Sequence, residues 1–270
     1  MKLVHWQFER MDLDNQQVYV ENPTMSMLAN AVDLLNIRLL ASIKGAVRLL
    51  EIGCGPYSLI RNRMQPPAQW EGIDVVKVDR KGHPSVATKQ ASVSDIPWPA
   101  ASFDLVLSNQ SIEHWYEYGV SLERGLFEIR RVLKSNGRAH INFPVHLHGQ
   151  RMFVEGDFAA IDDAFARAGL LIERRIAVEK SSYADYRGWR LCGFPDFLIS
   201  ASPTSEDTSY VVEYIARPCG AVPADTPWKP QPALRTWQRH WHYGPRYFVW
   251  KLLSRLRGRY RGAGIAPIDA

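Results

Sequence analysis

The 270-residue sequence predicts an α/β fold, a mostly parallel sheet with helices on both faces. Three observations predict it. Short apolar runs alternate with segments of helical period from about residue 25 to residue 217. The first strong run, VRLLEI at 47–52, is apolar on both sides, as a strand buried between two layers must be, and it ends in Gly-Cys-Gly. Hydrophobic residues make up 46% and charged residues 23%, enough apolar material for one sizeable core.

The elements follow in order. Thr24 is placed to cap a helix through MSMLANAVDLLNIRLL, where Leu28, Val32, Leu35 and Leu39 recur at helical spacing. VRLLEI is the first strand, WEGIDVV at 70–76 the second, and SVATKQAS at 85–92 a weaker third. FDLVLSN at 103–109 is the fourth. A helix at 120–134 carries Leu122, Leu126, Ile129 and Leu133 on one face, and Asn136-Gly137 is expected to stop it. RAHINFPV at 138–145 is the fifth strand. DFAAIDDAFARAG is a helix ended by Gly169. LLIERRIAV at 170–178 and TSYVVEYIA at 208–216 complete the sheet, and their closeness in sequence suggests an antiparallel strand at its edge.

Charge divides the chain. From Trp228 to Ile268 there is no Asp or Glu, but there are nine Lys and Arg, so the formal net charge of +5 averages a slightly acidic body and a strongly basic tail. The proline-rich AVPADTPWKPQP marks the boundary, giving a domain at 1–225 and a basic, aromatic tail at 226–270. Val249, Leu252, Leu253, Leu256 and Tyr260 alternate with the cations, and Trp228, Trp237, Trp241 and Trp250 lie nearby. Such a segment suits an anionic membrane surface or docking on the acidic body; nucleic acid is the least favoured partner. The N-terminus MKLVHWQFERMD has no signal-like apolar core. No stretch approaches 18 apolar residues, and three cysteines are too few for a disulfide framework. The expected location is the cytoplasm, with peripheral contact at the inner membrane surface through the tail.

In an open parallel sheet, ligands bind beyond the carboxyl ends of the strands. LLEIGCGPYSLI places Glu51, Gly53 and Gly55 there, and the lack of Gly-Lys-Ser/Thr excludes a Walker loop. Asp74 follows Gly55 by 19 residues, close to the offset at which an acid meets a ribose diol; Asp79 is its competitor. His114 follows the fourth strand. His146 and His148 follow the fifth and, two apart in an extended segment, share one side. Metal binding by these histidines requires a third ligand that the sequence does not identify, so no metal is expected.

LLEIGCGPYSLI, GIDVV, SVSDIPWPAASFDLVLSNQSIEHW and LFEIRRVLKSNGRAHINFP together resemble class I S-adenosylmethionine-dependent methyltransferases, of the type 11 kind, over about residues 45–145. The resemblance implies a Rossmann-like sheet of seven strands with S-adenosyl-L-methionine as cofactor. It assigns Glu51, Gly53 and Gly55 to the methionine part, Asp74 to the ribose hydroxyls, Val93 to adenine, and Ser108 and Asn109 to the region beside the sulfonium. Tyr57 stands where the family often has a small residue, and Ser92 where it often has an acid; Asp95 is the alternative adenine contact.

The expected activity is O-methylation of a hydroxyl on a glycan, a lipid-linked saccharide or a small molecule, the aromatic loop and the tail favouring a lipid-linked glycan, with His146, His148 or His114 assisting proton removal. No Asn/Asp-Pro-Pro-aromatic element, no Pro-Cys after strand four and no arsenic-methylator cysteine set is present. The aromatic segment 179–207, with Tyr183, Tyr186, Trp189, Phe194 and Phe197, is expected to cover the acceptor. The alternatives are a non-catalytic cofactor-binding scaffold and an RNA methyltransferase using the tail.

Overall fold

The computed structural model describes residues 4–7, 9–10, 27–79, 81–145, 148–180, 190–191, 196–199 and 209–220. In chain order the strands are β1 (Val4–Gln7), β2 (Glu9–Arg10), β3 (Arg48–Ile52), β4 (Gln69–Asp74), β5 (Lys89–Gln90), β6 (Phe103–Asn109), β7 (Leu133–Val145), β8 (Leu170–Lys180), β9 (Arg190–Leu191), β10 (Asp196–Ile199) and β11 (Ser209–Pro218). The helices are α1 (Met27–Ser42), α2 (Leu59–Arg63), α3 (Leu122–Val132), α4 (Arg151–Glu155) and α5 (Phe158–Arg167). A 3-10 helix spans Ile112–Tyr118.

Seven strands form the body of the main sheet, in the order β8-β11-β7-β6-β3-β4-β5. The two-residue β2 and β9 pair with β8, and β1 pairs separately with β10. β3, β4, β5, β6 and β7 pair in parallel. β11 is antiparallel to both β7 and β8, so the antiparallel strand expected at the edge stands one place in from it. The crossover from β7 through α4 and α5 leaves a gap one strand wide, and β11 fills it.

One core lies on the face covered by α3 and α5, where Leu126, Ile129, Val132, Ile161 and Phe165 pack on Val106, Ala139 and Ile141. On the opposite face α1 lays Ala31, Leu34 and Leu35 against Ile176, Val178 and Val211, and Leu39 joins Leu49, Ile60 and Leu107. β3 has Leu49, Leu50, Glu51 and Ile52 all buried, because helices cover both sides of it.

Two expectations change. The weak third strand contracts to Lys89–Gln90. α3 ends at Val132, where Leu133 turns extended (φ −71°, ψ 137°), and β7 begins at once. Asn136-Gly137 lies inside β7, in the irregular register between the Phe103–Leu133 and Leu105–Arg138 pairs. A Cβ on Gly137 would stand 2.9 Å from the Asp104 carbonyl, so this glycine admits backbone to backbone rather than ending a helix. Thr24, residues 181–189 and 192–195 of the aromatic segment, and the tail at 226–270 lie outside the described residues. No helix among the described residues is long and apolar enough to cross a membrane.

Candidate functional site

A cavity of about 450 Å³ opens beyond the carboxyl ends of β3, β4 and β6, where the parallel half of the sheet predicts it. Its wall runs from an apolar patch at Ile73, Ala91 and Val93, past Asp74 and Gly55, to Ser111, His114 and Glu117.

The turn after β3 is tied to β4. The amides of Gly53 and Cys54 both donate to the Ile73 carbonyl, at 2.9 and 3.4 Å. The amide of Gly55 donates to Asp74 Oδ2 at 2.8 Å, and Val76 donates to Oδ1 at the same distance. Asp74 thereby shapes the turn while its carboxylate stays on the cavity wall. Gly53 has φ +69°, and a Cβ there would lie 2.6 Å from Ser111 Cβ. What forbids a side chain at Gly53 is therefore the loop after β6. Gly55 has φ +58° and nothing within 4 Å of its would-be Cβ, leaving that side of the turn open. The loop after β4 closes the wall through the Val86 amide, which donates to the Gly55 carbonyl at 2.8 Å. Asp79 also lines the cavity, but its oxygens receive the amides of Lys81 and His83 and the His83 ring within their own loop. Those contacts, led by the His83 amide, hold its carboxyl below the usual range. Asp74, set beside Gly55, is the better placed of the two acids.

Ser92 lines the cavity, whereas Asp95 lies in a shallow depression beside Arg124, Glu128 and Arg131. Val93 lines the cavity with 5% exposure.

Glu51, Tyr57, Ser108 and Asn109 are not on the wall. Glu51 is buried, with Oε2 accepting from Ser58 Oγ at 2.5 Å and Trp70 Nε1 at 2.9 Å, and Oε1 from Asn109 Nδ2 at 3.4 Å. Burial pushes its pKa up, against the pull of those three donors. Asn109 Oδ1 in turn accepts from Asn142 Nδ2 at 2.5 Å. Ser108 Oγ bonds Ser111 Oγ at 2.8 Å. These residues form a polar seam across β3, β6 and β7 that braces the cavity from behind. Cys54, buried and near Glu51 and Asp74, has its thiol pushed up to about 12, first by burial and then by those charges, so it is no nucleophile.

Two loops meet beside the cavity, behind His114 on its wall. In the 3-10 helix after β6, residues three apart eclipse, which sets Glu117 Oε1 2.7 Å from His114 Nδ1. His114 Nε2 lies 3.6 Å from Glu113 Oε1, and Glu113 is fully buried. The loop after β7 reaches the same place. Gln150 donates its amide to the Glu113 carbonyl at 2.9 Å, and Gly149 has φ +104°, where a Cβ would come within 2.6 Å of Glu113 Cβ. His148, 8% exposed, packs edge-on to His114 with ring centroids 5.1 Å apart. His146 lies outside the described residues. His114 and His148 thus come together, as a shared site requires. Glu113 and Glu117 were missed. The signal for Glu117 was its i,i+3 spacing from His114, legible only once a 3-10 helix is expected there.

The wall fits S-adenosylmethionine. The apolar patch with Ser92 suits adenine, Asp74 offers a carboxylate to a diol, and the open side of Gly55 admits the chain that joins them.

Residues 50–141 match the family model described as a methyltransferase domain. No curated protein sequence matches the chain significantly. Among solved structures, a Bacillus halodurans protein assigned as a methyltransferase is 14% identical, with a TM-score of 0.47, over 70% of this chain and 99% of that one. The Burkholderia thailandensis 1,6-didemethyltoxoflavin-N1-methyltransferase, solved with S-adenosylhomocysteine, is 15% identical, with a TM-score of 0.46, over 72% of this chain and 79% of that one. The strand order and the glycine turn agree with the methyltransferase-domain match at residues 50–141.

Proposed function

We propose that this domain transfers the methyl group to a hydroxyl oxygen of a glycan, a lipid-linked saccharide or a small molecule. The observation that carries this reading is His114, on the wall of the cofactor cavity with Glu117 on its Nδ1. An oxygen acceptor must lose its proton as it attacks, and a group that favours the alkoxide belongs beside the methyl position. Glu117 is placed to accept the proton of the Nδ1 tautomer, in which the Nε2 lone pair faces Glu113.

When bound, S-adenosylmethionine supplies a methyl group already activated for displacement. The chain's own residues do the rest. Asp74 and the Gly55 turn fix the ribose and the chain beyond it. Ile73, Ala91 and Val93 exclude water from the adenine side. Tyr118, half-exposed at the cavity lip, offers an aromatic face to a sugar or other ring. His146 belongs to the same proposal through its place two residues before His148. The basic tail, read from sequence, supports contact with an anionic membrane surface where a lipid-linked acceptor resides.

The test is incubation of the full chain with labelled S-adenosylmethionine and fractionated glycans, glycolipids and metabolites, followed by mass spectrometry of the labelled products. A methyl ether is expected, and H114Q should abolish it while retaining affinity for S-adenosylhomocysteine. A product methylated on nitrogen or carbon would refute the hydroxyl reading, as would full turnover by H114Q.

A further inference from the structure

We propose that Glu113, His114 and His148 bind a divalent transition-metal ion beside the cavity, reached from its wall at His114; the ion's role in turnover rests on the hydroxyl reading above. One ligand atom from each residue lies within 4.8 Å of the other two. Bonds of about 2.0–2.2 Å in a tetrahedral site place neighbouring ligands about 3.3–3.6 Å apart. His114 Nε2 and Glu113 Oε1, at 3.6 Å, already meet that spacing, and the His148 ring closes the triangle by moving inward at most about 1.5 Å.

Three features distinguish this triad from a chance meeting of polar side chains. Glu113 is 0% exposed and His148 8%, so the donors are gathered out of bulk water. Glu117 occupies Nδ1 of His114 at 2.7 Å, the outer contact that fixes the tautomer of a ligating imidazole and directs Nε2 at an ion. Backbone contacts lock the two loops in register through the Gln150 amide on Glu113 and the close approach of Gly149, so the donors are placed before any ion arrives. Two imidazoles and one carboxylate suit zinc, manganese or ferrous iron rather than magnesium or calcium. Three protein ligands also leave a coordination position open to a small oxygen ligand.

That position gives the ion its work. The acceptor's hydroxyl oxygen binds the ion, which lowers its pKa, and the O–H proton passes to water. The oxygen's electron pair then forms the O–CH3 bond as the CH3–S bond breaks, with that bond's electrons remaining on sulfur. The products are a methyl ether, a neutral thioether and one released proton. Acting this way, the Nε2 lone pair of His114 favours the alkoxide through the ion.

The experiment uses the full chain, freed of metal by chelation and titrated calorimetrically with zinc, with cobalt absorption as a second readout of coordination. One ion per chain is expected. H148Q and E113Q should each weaken binding at least tenfold, and E117Q should weaken it about 10- to 100-fold. Should E113Q fail to fold, H148Q and the zinc-dependent rise in the parent's melting temperature still decide the matter. Zinc that binds the parent no more tightly than it binds H148Q overturns the site. Methyl-ether formation undiminished in metal-free protein overturns the ion's role and leaves the hydroxyl reading standing. One-ion binding that H148Q weakens tenfold, in a protein that methylates only nitrogen or carbon, upholds the site and refutes that reading.

Discussion

Replacing Asp74 by Asn changes one atom and separates its two tasks. Each carboxylate oxygen accepts one backbone amide, from Gly55 or from Val76, both at 2.8 Å. An Asn can accept one of them. Its NH2 then faces the other amide, donor against donor, so one hydrogen bond to a charged acceptor is lost and a donor is stranded. Hydrogen bonds to charged groups are each worth about 1.5–3 kcal/mol. At about 2–4 °C per kcal/mol for a domain of this size, the melting temperature should fall by about 3–12 °C. Affinity should fall separately, because a ribose hydroxyl loses the same kind of charged acceptor. That loss of about 1.5–3 kcal/mol corresponds to about 10- to 150-fold in Kd. Calorimetric titration with S-adenosylhomocysteine, at a temperature where the variant is fully folded, measures the second effect, and a thermal melt the first. A folded D74N protein that binds within threefold of the parent would refute the ribose assignment. An unchanged melting temperature would refute the claim that Asp74 shapes the turn.

Four further outcomes are expected. G53A forces a Cβ to 2.6 Å from Ser111 at φ +69°, so stability should drop by about 1–3 kcal/mol in urea titrations even without cofactor. H148Q, and H146Q if that histidine shares the site, should lower kcat with little change in S-adenosylhomocysteine affinity, as single-turnover kinetics would show. Glu51 binds its proton more tightly in the folded chain than its usual value of 4.5 allows. Its contribution therefore makes stability fall as pH rises from about 4.5 through the raised folded pKa; E51Q should lack that slope, as urea midpoints at several pH values would reveal. Removing residues 228–270 should abolish binding to anionic vesicles and leave the melting temperature nearly unchanged; a marked drop in melting temperature would instead show that the tail docks on the body.

The parallel half of the sheet was legible because each of its long strands is a short apolar run with a chemically marked end. β6 falls on the residues its pattern predicted, Phe103–Asn109, and Asp74 stands at the last position of β4. Patterning did not convey order in the antiparallel half: nothing in TSYVVEYIA says that it enters between β7 and β8 rather than beyond them. Asn136-Gly137 misled because the same dipeptide ends a helix or fills a bulge, and the Asp104 carbonyl opposite decides which. The cavity was only half legible. Gly53, Gly55, Asp74, Ser92, Val93 and His114 are on its wall, while Glu51 and Asn109 bond each other behind it and Ser108 bonds Ser111. Such a preference depends on donors such as Trp70 and Asn142, which arrive from other strands, and on Ser58 beyond the turn. The approach of His148 to His114 and Glu113 is likewise tertiary.

The interior place of β11 sets a timetable for the newborn chain. Synthesis proceeds from the N-terminus, so β3 through β7 leave the ribosome with every strand of the cofactor half available. Of the two partners of β11, β7 has been made by then, and β8 follows between Leu170 and Lys180. Yet Pro218 comes about 70 residues after Val145, and at 5–20 residues per second that interval is about 4–15 s. Throughout it β7 presents an open edge, with buried residues such as Ala139, Ile141 and Phe143 along a side where a foreign strand could add. The gap closes when β11 slides between two strands already in place. The hazard is greatest for a chain halted between β8 and β11, whose nucleotide-binding half is complete and whose sheet is still unsealed.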